Sequence, residues 1–180
     1  REVTRIVTPG TVTESCMLDE SRNNYLACIC GQEDKLGLSF CDLSTGAFFA
    51  TACADSAAAC CELGRFAPTE VLRFGDDVKN EELDQTLARL GCCIDEGLAQ
   101  ELPLEQAQIL LENHFHANLA QLGIAGMDAL VLSCAALLDR LQTLQKQDLT
   151  HIRDLQFYTT GRFMELDMDA RRNLELTETL

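Results

Sequence analysis

The residues best placed to do chemistry form the short string DLSTG, in which the carboxylate of Asp42 precedes two hydroxyls and a glycine. An acid at the end of an early strand ligates magnesium when acids from adjacent elements converge on it, as two-metal sites require. Further candidate acids such as Glu62 and Glu70 are remote in sequence. We therefore predict that Asp42 sets a hairpin turn by accepting hydrogen bonds from the amides of the residues that follow it: Ser44, Thr45 or Gly46.

Other kinds of catalytic site lack their partners in the sequence. Ser44 lies outside a Gly-x-Ser-x-Gly elbow, and no Gly-x-x-x-x-Gly-Lys phosphate loop is present. His114 and His116 stand two apart with no Cys-x-x-Cys to accompany them, so the ligand spacing of a zinc site is missing. We predict that this chain is not an enzyme and that it carries no catalytic residue, metal ion or cofactor.

Composition limits the class of protein further. Disulfide scaffolds are small and poor in core, whereas this chain has 180 residues, 47% of them hydrophobic. We therefore expect its ten cysteines to be cytosolic thiols. Fourteen Lys and Arg against 29 Asp and Glu give a formal charge of −15, which repels a phosphate backbone and argues against DNA binding by this chain alone. Solubility is the simpler explanation of that charge, and an acid-specific partner is the alternative.

The first half of the chain reads as strands followed by alternating helices and strands. A β-branched run at Val3–Val7 predicts an entry strand that stops at Pro9-Gly10. Three short runs with turn signals between them then predict an antiparallel meander: Tyr25–Cys30, Leu36–Leu43 and Ala47–Thr51. After them we predict a helix capped by Ser56, a strand, a second helix and a weak strand: Ser56–Phe66, Glu70–Phe74, Glu81–Leu90 and Gly91–Ile94. This order implies a mixed sheet with helices packed on it.

Two helices dominate the second half. Leu104–Phe115 places Leu104, Ala107, Leu111 and Phe115 on one buried face, while Ile109 points away from it. An outward Ile109 is either an ordinary surface residue or part of a partner surface. The apolar pattern from Met127 to Gln145 predicts a longer helix, which is either a core helix or a bridge between two domains. Further on, Phe163–Leu166 alternates like a strand and Asp169–Leu176 has helix propensity.

Four strings, taken in order along nearly the whole chain, resemble the bacterial MutS mismatch-repair family: VTRIVTPGT at 3–11, NNYLACI at 23–29, DLSTGAF at 42–48 and HIRDLQFYTTGRFMELDMDARRNLEL at 151–176. The resemblance implies the connector domain of that family, an α/β domain with an RNase H-like mixed sheet, followed by a long helix and the start of a helical lever domain. We therefore expect the chain to be a piece of a longer protein. The implied division is 1–125 for the connector, 126–148 for a long connecting helix and 149–180 for the start of the lever or core domain.

The resemblance also implies a role for the module. It would couple mismatch recognition to a distal ATPase domain and offer a docking surface to MutL, carried over only as a region around Gln108, Ile109 and Glu112. A junction with the following domain is implied at the residues of the last string: Arg171, Arg172, Asn173 and Glu175. The parent would bind mismatched duplex DNA through other domains, use ATP with magnesium, and form a homodimer.

Two other functions stay open on the sequence. One is a divergent RNase H-like nuclease that depends on metal, which the scarcity of candidate ligands argues against. The other is a freestanding oligomerisation domain, suggested by the leucines of the last third. The basic residues His151 and Arg153 are expected to be structural rather than phosphate contacts. No apolar run of about 18 residues is present, so we expect a soluble, cytoplasmic parent without membrane contact.

Overall fold

The structure consists of strands and helices that alternate after an initial three-strand meander. The computed structural model describes residues 24–75, 78–96, 102–145 and 149–160. Within those ranges the elements are β1 (Tyr25–Gln32), β2 (Lys35–Asp42), β3 (Ala47–Cys53), α1 (Ser56–Phe66), β4 (Glu70–Phe74), α2 (Glu81–Leu90), β5 (Cys93–Asp95), α3 (Leu104–Phe115), α4 (Asp128–Gln145) and β6 (Leu155–Phe157). No helix in this part of the chain is both long and apolar enough to span a bilayer.

All six strands belong to one mixed sheet with the order β5-β4-β1-β2-β3-β6. Strands β1, β2 and β3 are antiparallel neighbours, which confirms the predicted meander. Strand β4 is parallel to β1, and β5 is parallel to β4, so α1 and α2 serve as the connections on that side. The predicted weak strand lies slightly later than expected, because Gly91 adopts a left-handed φ of 65° and ends α2 before β5 can begin.

Side-chain polarity and caps explain where the two shorter helices begin. We predicted that Ser56 caps α1, but the N-cap is Asp55, whose carboxylate accepts a 2.8 Å hydrogen bond from the amide of Ala58. Asn80 caps α2 through its carbonyl oxygen, which accepts from Leu83 N at 2.9 Å. Its amide nitrogen donates to Ser56 Oγ at 2.8 Å, so one side chain ties the beginnings of both helices together.

Strands β1 to β4 send alternate side chains to two separate cores, as pleated strands buried on both faces must. Leu26, Cys28 and Phe48 lie in the core under α3 and α4. Ala27, Ile29 and other residues of the opposite phase lie in the core under α1 and α2. The sheet is therefore the middle layer of three.

Helix α4 lies directly on the centre of the sheet. A Cβ added at Gly37 of β2 would come within 3.0 Å of the backbone of Ala129 and Leu130, so only glycine admits the helix at this distance. Ser39 Oγ donates to the side chain or carbonyl of Ser133, at 2.8 and 3.1 Å, and Ser133 Oγ donates to Cys28 O at 2.9 Å. These buried hydroxyls are satisfied beneath the helix, which has the position of a core helix.

The chain returns to the sheet after α4 through residues 149–158, here called the exit segment. Leu149 and Ile152 are buried in the same core as α4, and β6 pairs in parallel with β3. We predicted a boundary after residue 125 and a lever domain starting at 149. The apolar residues of α4 and of the exit segment share one core on this face of the sheet, and the division of the chain into domains stays a prediction.

Several expectations fall on parts of the chain that the structure does not describe. They are the entry strand Val3–Val7, the strand Phe163–Leu166, the helix Asp169–Leu176, and the junction residues Arg171, Arg172, Asn173 and Glu175. Each stays a prediction.

Candidate functional site

The turn between β2 and β3 is held by its own side chains. Asp42 is 1% exposed, and its Oδ1 accepts hydrogen bonds from Ser44 N at 2.9 Å and Ser44 Oγ at 2.6 Å. Gly46 N donates to Asp42 O at 2.9 Å, and Ala47 N donates to Thr45 Oγ1 at 3.3 Å. The Asp42 carboxylate therefore accepts hydrogen bonds from the amide and the hydroxyl of a residue next to it in the chain. Its role in the structure is to hold the turn.

The acids considered for metal binding do not share a site. Tyr25 opposes Asp42, and the next residue, Leu26, opposes Glu70. Because opposed residues point to the same face and consecutive residues to opposite faces, Asp42 and Glu70 lie on opposite sides of the sheet. Glu62 has another partner, since its Oε2 accepts a 2.6 Å hydrogen bond from the hydroxyl of Tyr158. Among the described residues no group of three or more His, Cys, Asp and Glu is arranged to hold a metal ion.

Gly46 is also the point at which the exit segment contacts the turn. It has φ +77°, and an added Cβ would come within 3.0 Å of His151 O, so the site requires glycine both for its conformation and for this close approach. His151 Nε2 donates to Leu43 O at 2.8 Å. The DLSTG string thus does two things, turning the chain and receiving a segment more than a hundred residues later; sequence reasoning identified the first and missed the second.

The region predicted to dock a partner lies on the outer side of α3. Ile109 is 57% exposed, while Gln108 is half-buried and Glu112 is exposed. On the opposite side of the helix, Ala107 and Leu111 are buried in the core. The structure therefore presents Ile109 to solvent, with Gln108 and Glu112 on the same helix, and an exposed large aliphatic side chain of this kind can mark a partner surface.

Glu112 has a local role beside any contact with a partner. Its Oε1 accepts a 3.3 Å hydrogen bond from Leu119 N, in the loop that follows α3. Asn118 and Gln121 brace the same loop by exchanging two 2.9 Å hydrogen bonds between side chain and backbone. A change at Glu112 therefore alters the loop, and Ile109 is the cleaner position at which to probe this surface.

Two arginines fasten the β4–β5 edge from opposite faces of the sheet. Arg73 of β4 forms ion pairs with Asp84 of α2 and with Glu96 after β5. Arg140 of α4 donates to Asp95 Oδ2 at 2.8 Å, and its Nη2 lies 3.8 Å from Glu70 Oε1. The basic residues near this edge are thus paired within the domain, in keeping with the acidic balance of the chain.

The cysteines that the structure describes are free thiols. Burial raises the pKa of Cys28, Cys41 and Cys134, so these thiols stay protonated at neutral pH. Burial, helped by the charge of Glu62, raises the pKa of Cys53 to about 12. A protonated thiol is a poor nucleophile and a poor metal ligand, so these four behave as small apolar side chains.

The sheet order, with an antiparallel meander at its centre and two parallel strands added beyond β1, is that of an RNase H-like domain. Residues 24–153 match the family model of MutS domain II, and the chain belongs to that family.

Curated relatives agree with this assignment. The chain is 35% identical to the DNA mismatch repair protein MutS of Acetivibrio thermocellus, with all of the chain and 21% of the relative aligned. It is 37% identical to the protein of the same name from Syntrophomonas wolfei and 33% identical to that from Methanococcoides burtonii, covering 22% and 21% of them. The chain therefore spans about a fifth of the length of these relatives.

Proposed function

We propose that this chain is the connector module of a MutS-type DNA mismatch repair protein. In that role it couples mismatch recognition, made elsewhere in the parent, to a distal ATPase domain, and it offers a docking surface to MutL. The observation that supports the proposal most directly is the match to MutS domain II over residues 24–153, which include both helical layers and most of the sheet.

A coupling module has to move as one body between its two connections. Three features of the domain meet this demand. Helix α4 lies on the sheet at backbone contact with Gly37, the exit segment is tied to the turn at Gly46, and the edge strand β5 is held by Arg73 and Arg140. A displacement at any of these places is passed to the sheet, because the packed layers leave little room for independent motion.

The parent's nucleic-acid and nucleotide chemistry is assigned to other domains. The charge of −15 opposes contact with a phosphate backbone, and the described acids form no magnesium site. We therefore place mismatched DNA, ATP, magnesium and the ATPase activity in the rest of the parent, which acts as a homodimer in the cytoplasm.

The docking proposal depends on Ile109. A large aliphatic side chain that is more than half exposed on a helix is a typical anchor for a groove on a partner. MutL is proposed as the partner, with Gln108 and Glu112 at the margin of the contact.

The test uses the full-length parent on mismatched DNA. Ile109→Glu places a charge at the centre of the proposed contact, and we expect recruitment of MutL to fall about tenfold or more, the usual scale for a lost apolar anchor. The matched control is Ile94→Glu, because among the described residues Ile94 is the other large exposed hydrophobic one, 39% exposed on the edge strand β5. Recruitment by the control should equal that of the unaltered protein.

Circular dichroism of both variants should show the unaltered fold. If Ile109→Glu recruits MutL as well as the control does, this surface of α3 is not the contact. Equal losses in both variants would likewise exclude a contact specific to α3.

A further inference from the structure

The exit segment crosses from one face of the sheet to the other within ten residues. At its start Leu149 and Ile152 are buried with α3 and α4. At its end Tyr158 is buried against Phe66 of α1, with the two ring centroids 6.3 Å apart. The exit segment therefore contacts both helical layers.

The inner half of the segment, residues 149–153, is held tightly. His114 of α3 donates from Nε2 to Ile152 O at 2.9 Å, and His151 donates from Nε2 to Leu43 O at 2.8 Å. The amide of Ile152 donates to Leu149 O at 2.9 Å. The buried side chains of Leu149 and Ile152 and the close backbone contact at Gly46 add to these bonds. Opening this half would therefore expose core residues to water.

The outer half, residues 155–158, is less deeply buried at its start, because Leu155 and Phe157 are only half-buried against the core under α3 and α4. Strand β6 pairs with only three residues of β3, on the edge of the sheet, and Tyr158 N donates to Ala50 O at 3.0 Å. Tyr158 is buried at the end of this half, and its hydroxyl donates to the buried carboxylate of Glu62 at 2.6 Å. Arg65 supports this pair, with its guanidinium 5.6 Å from the Tyr158 ring centre and 3.4 Å from Glu62 Oε2.

We propose that the exit segment is a two-part clasp whose outer half opens separately from the rest of the domain, and that the Tyr158–Glu62 hydrogen bond is its lock. With the lock closed, the exit segment is tied to α1 as well as to α3 and α4. With it open, only the inner half still holds the chain. A short edge ladder opens at a lower free energy than a buried core, which is why the two halves separate. In the parent, opening of the clasp would affect how signals pass between domains. This part of the proposal deepens the coupling role proposed above and rests on it.

The first test is hydrogen exchange of single amides in this chain, comparing Tyr158→Phe with the unaltered protein. The variant keeps the ring and loses only the hydroxyl. We expect the amide of residue 158 to exchange about tenfold faster, as the loss of one hydrogen bond to a carboxylate implies. The amides of Ile152 and of Val131 in α4 should exchange at unchanged rates.

The matched control is Tyr25→Phe. Tyr25 is the other of the two tyrosines and belongs to the same aromatic cluster. Its ring lies edge-on to that of Phe66, with the centroids 5.0 Å apart. This control should not accelerate exchange at residue 158 selectively. Equal acceleration at residues 158, 152 and 131 in Tyr158→Phe would mean that the domain opens as one unit, and unchanged exchange at residue 158 would mean that the hydroxyl locks nothing. Either result overturns the clasp.

A second measurement separates the clasp from the coupling role. In the full-length parent, the coupling role predicts that Tyr158→Phe slows ATP-driven release of mismatched DNA severalfold, while Tyr25→Phe leaves it unchanged. Selective exchange with unchanged release would refute the link to signalling and support the clasp as a local device. Loss of selective exchange refutes the clasp whatever the release rate does.

Discussion

The two faces of the sheet are closed by different means. On one face the 18-residue helix α4 approaches the strands at backbone distance over Gly37, with Ser39 and Ser133 bonded beneath it. On the other face the shorter helices α1 and α2 contact the sheet through side chains, and Phe66 stacks on Phe40 with ring centroids 4.0 Å apart. Contact at backbone distance leaves no room for added volume, whereas the half-buried ring of Phe66 can shift toward solvent. The face under α4 is therefore the rigid one, and substitutions there should cost more.

The largest effect is expected at Gly37. Gly37→Val places a branched side chain where even a Cβ meets the backbone of Ala129, so α4 must move away from the sheet. We expect a loss of about 3 kcal/mol or more in the free energy of unfolding, at the upper end for overpacked cores. Chemical denaturation measures this loss directly.

Substitution of Gly64, on the other face, should change the free energy of unfolding in the opposite direction. Gly64 lies within α1 with nothing inside 4 Å of an added Cβ. Gly64→Ala should raise the free energy of unfolding by about 0.5–1 kcal/mol, because alanine is the better helix former. Similar losses for both substitutions would remove the contrast between the faces.

A middle-sized effect is expected from the buried hydroxyls under α4. Ser133→Ala removes the bond to Cys28 O and one acceptor of Ser39, and we expect it to cost about 1–2 kcal/mol. The double variant Ser39→Ala/Ser133→Ala should cost less than the sum of the two single changes, since the two hydroxyls bond each other. Additive losses in urea denaturation would show that the serines act independently.

A smaller effect is expected on the face of α1. Phe66→Leu keeps an apolar side chain and loses the stacked ring on Phe40, and we expect a cost of about 1 kcal/mol. Because Phe66 is half-buried, leucine leaves no closed cavity there. A loss in thermal unfolding as large as that of Gly37→Val would place the rigid face on this side of the sheet.

The smallest effect is the pH dependence contributed by His114. Burial lowers the pKa of His114, and the nearby His116 and His151 lower it further, while the bond to Ile152 O opposes the shift. The unfolded chain therefore binds the proton more readily, so stability from this group is present above about pH 6.5 and is lost as the pH falls below it. Replacing His114 by Gln should flatten the dependence between about pH 7 and 5, and an unchanged slope would show that His114 contributes nothing to it.

The sequence predicts the local elements well and the long-range ties poorly. Helix α3 and helix α2 begin and end where their patterns indicate, because an apolar stripe and its end signals are local. Strand β6 was not predicted, since its three residues, Leu-Gln-Phe, are too few to show a period. For Gly37, the spacing indicates a strand position, but only packing reveals why glycine is needed there.

The candidate site shows the same limit. The turn chemistry of Asp42 follows from neighbours in the chain, and the outward side of Ile109 follows from helical periodicity. The bond between Tyr158 and Glu62 joins residues 96 positions apart, and neither residue type signals the other. Pairs of that kind are fixed by the topology, which a single sequence does not reveal.

The pairing of β6 with β3 also determines when the domain can be completed during synthesis. Roughly a hundred residues separate the two strands, so at about 5–20 residues per second the outer edge of β3 stays open for roughly 5–20 s on the ribosome. Throughout that interval Phe48, Phe49 and Ala50 present an unpaired edge to any other nascent chain. Aggregation of this domain should therefore be most sensitive to translation pauses placed before the codon for Leu155.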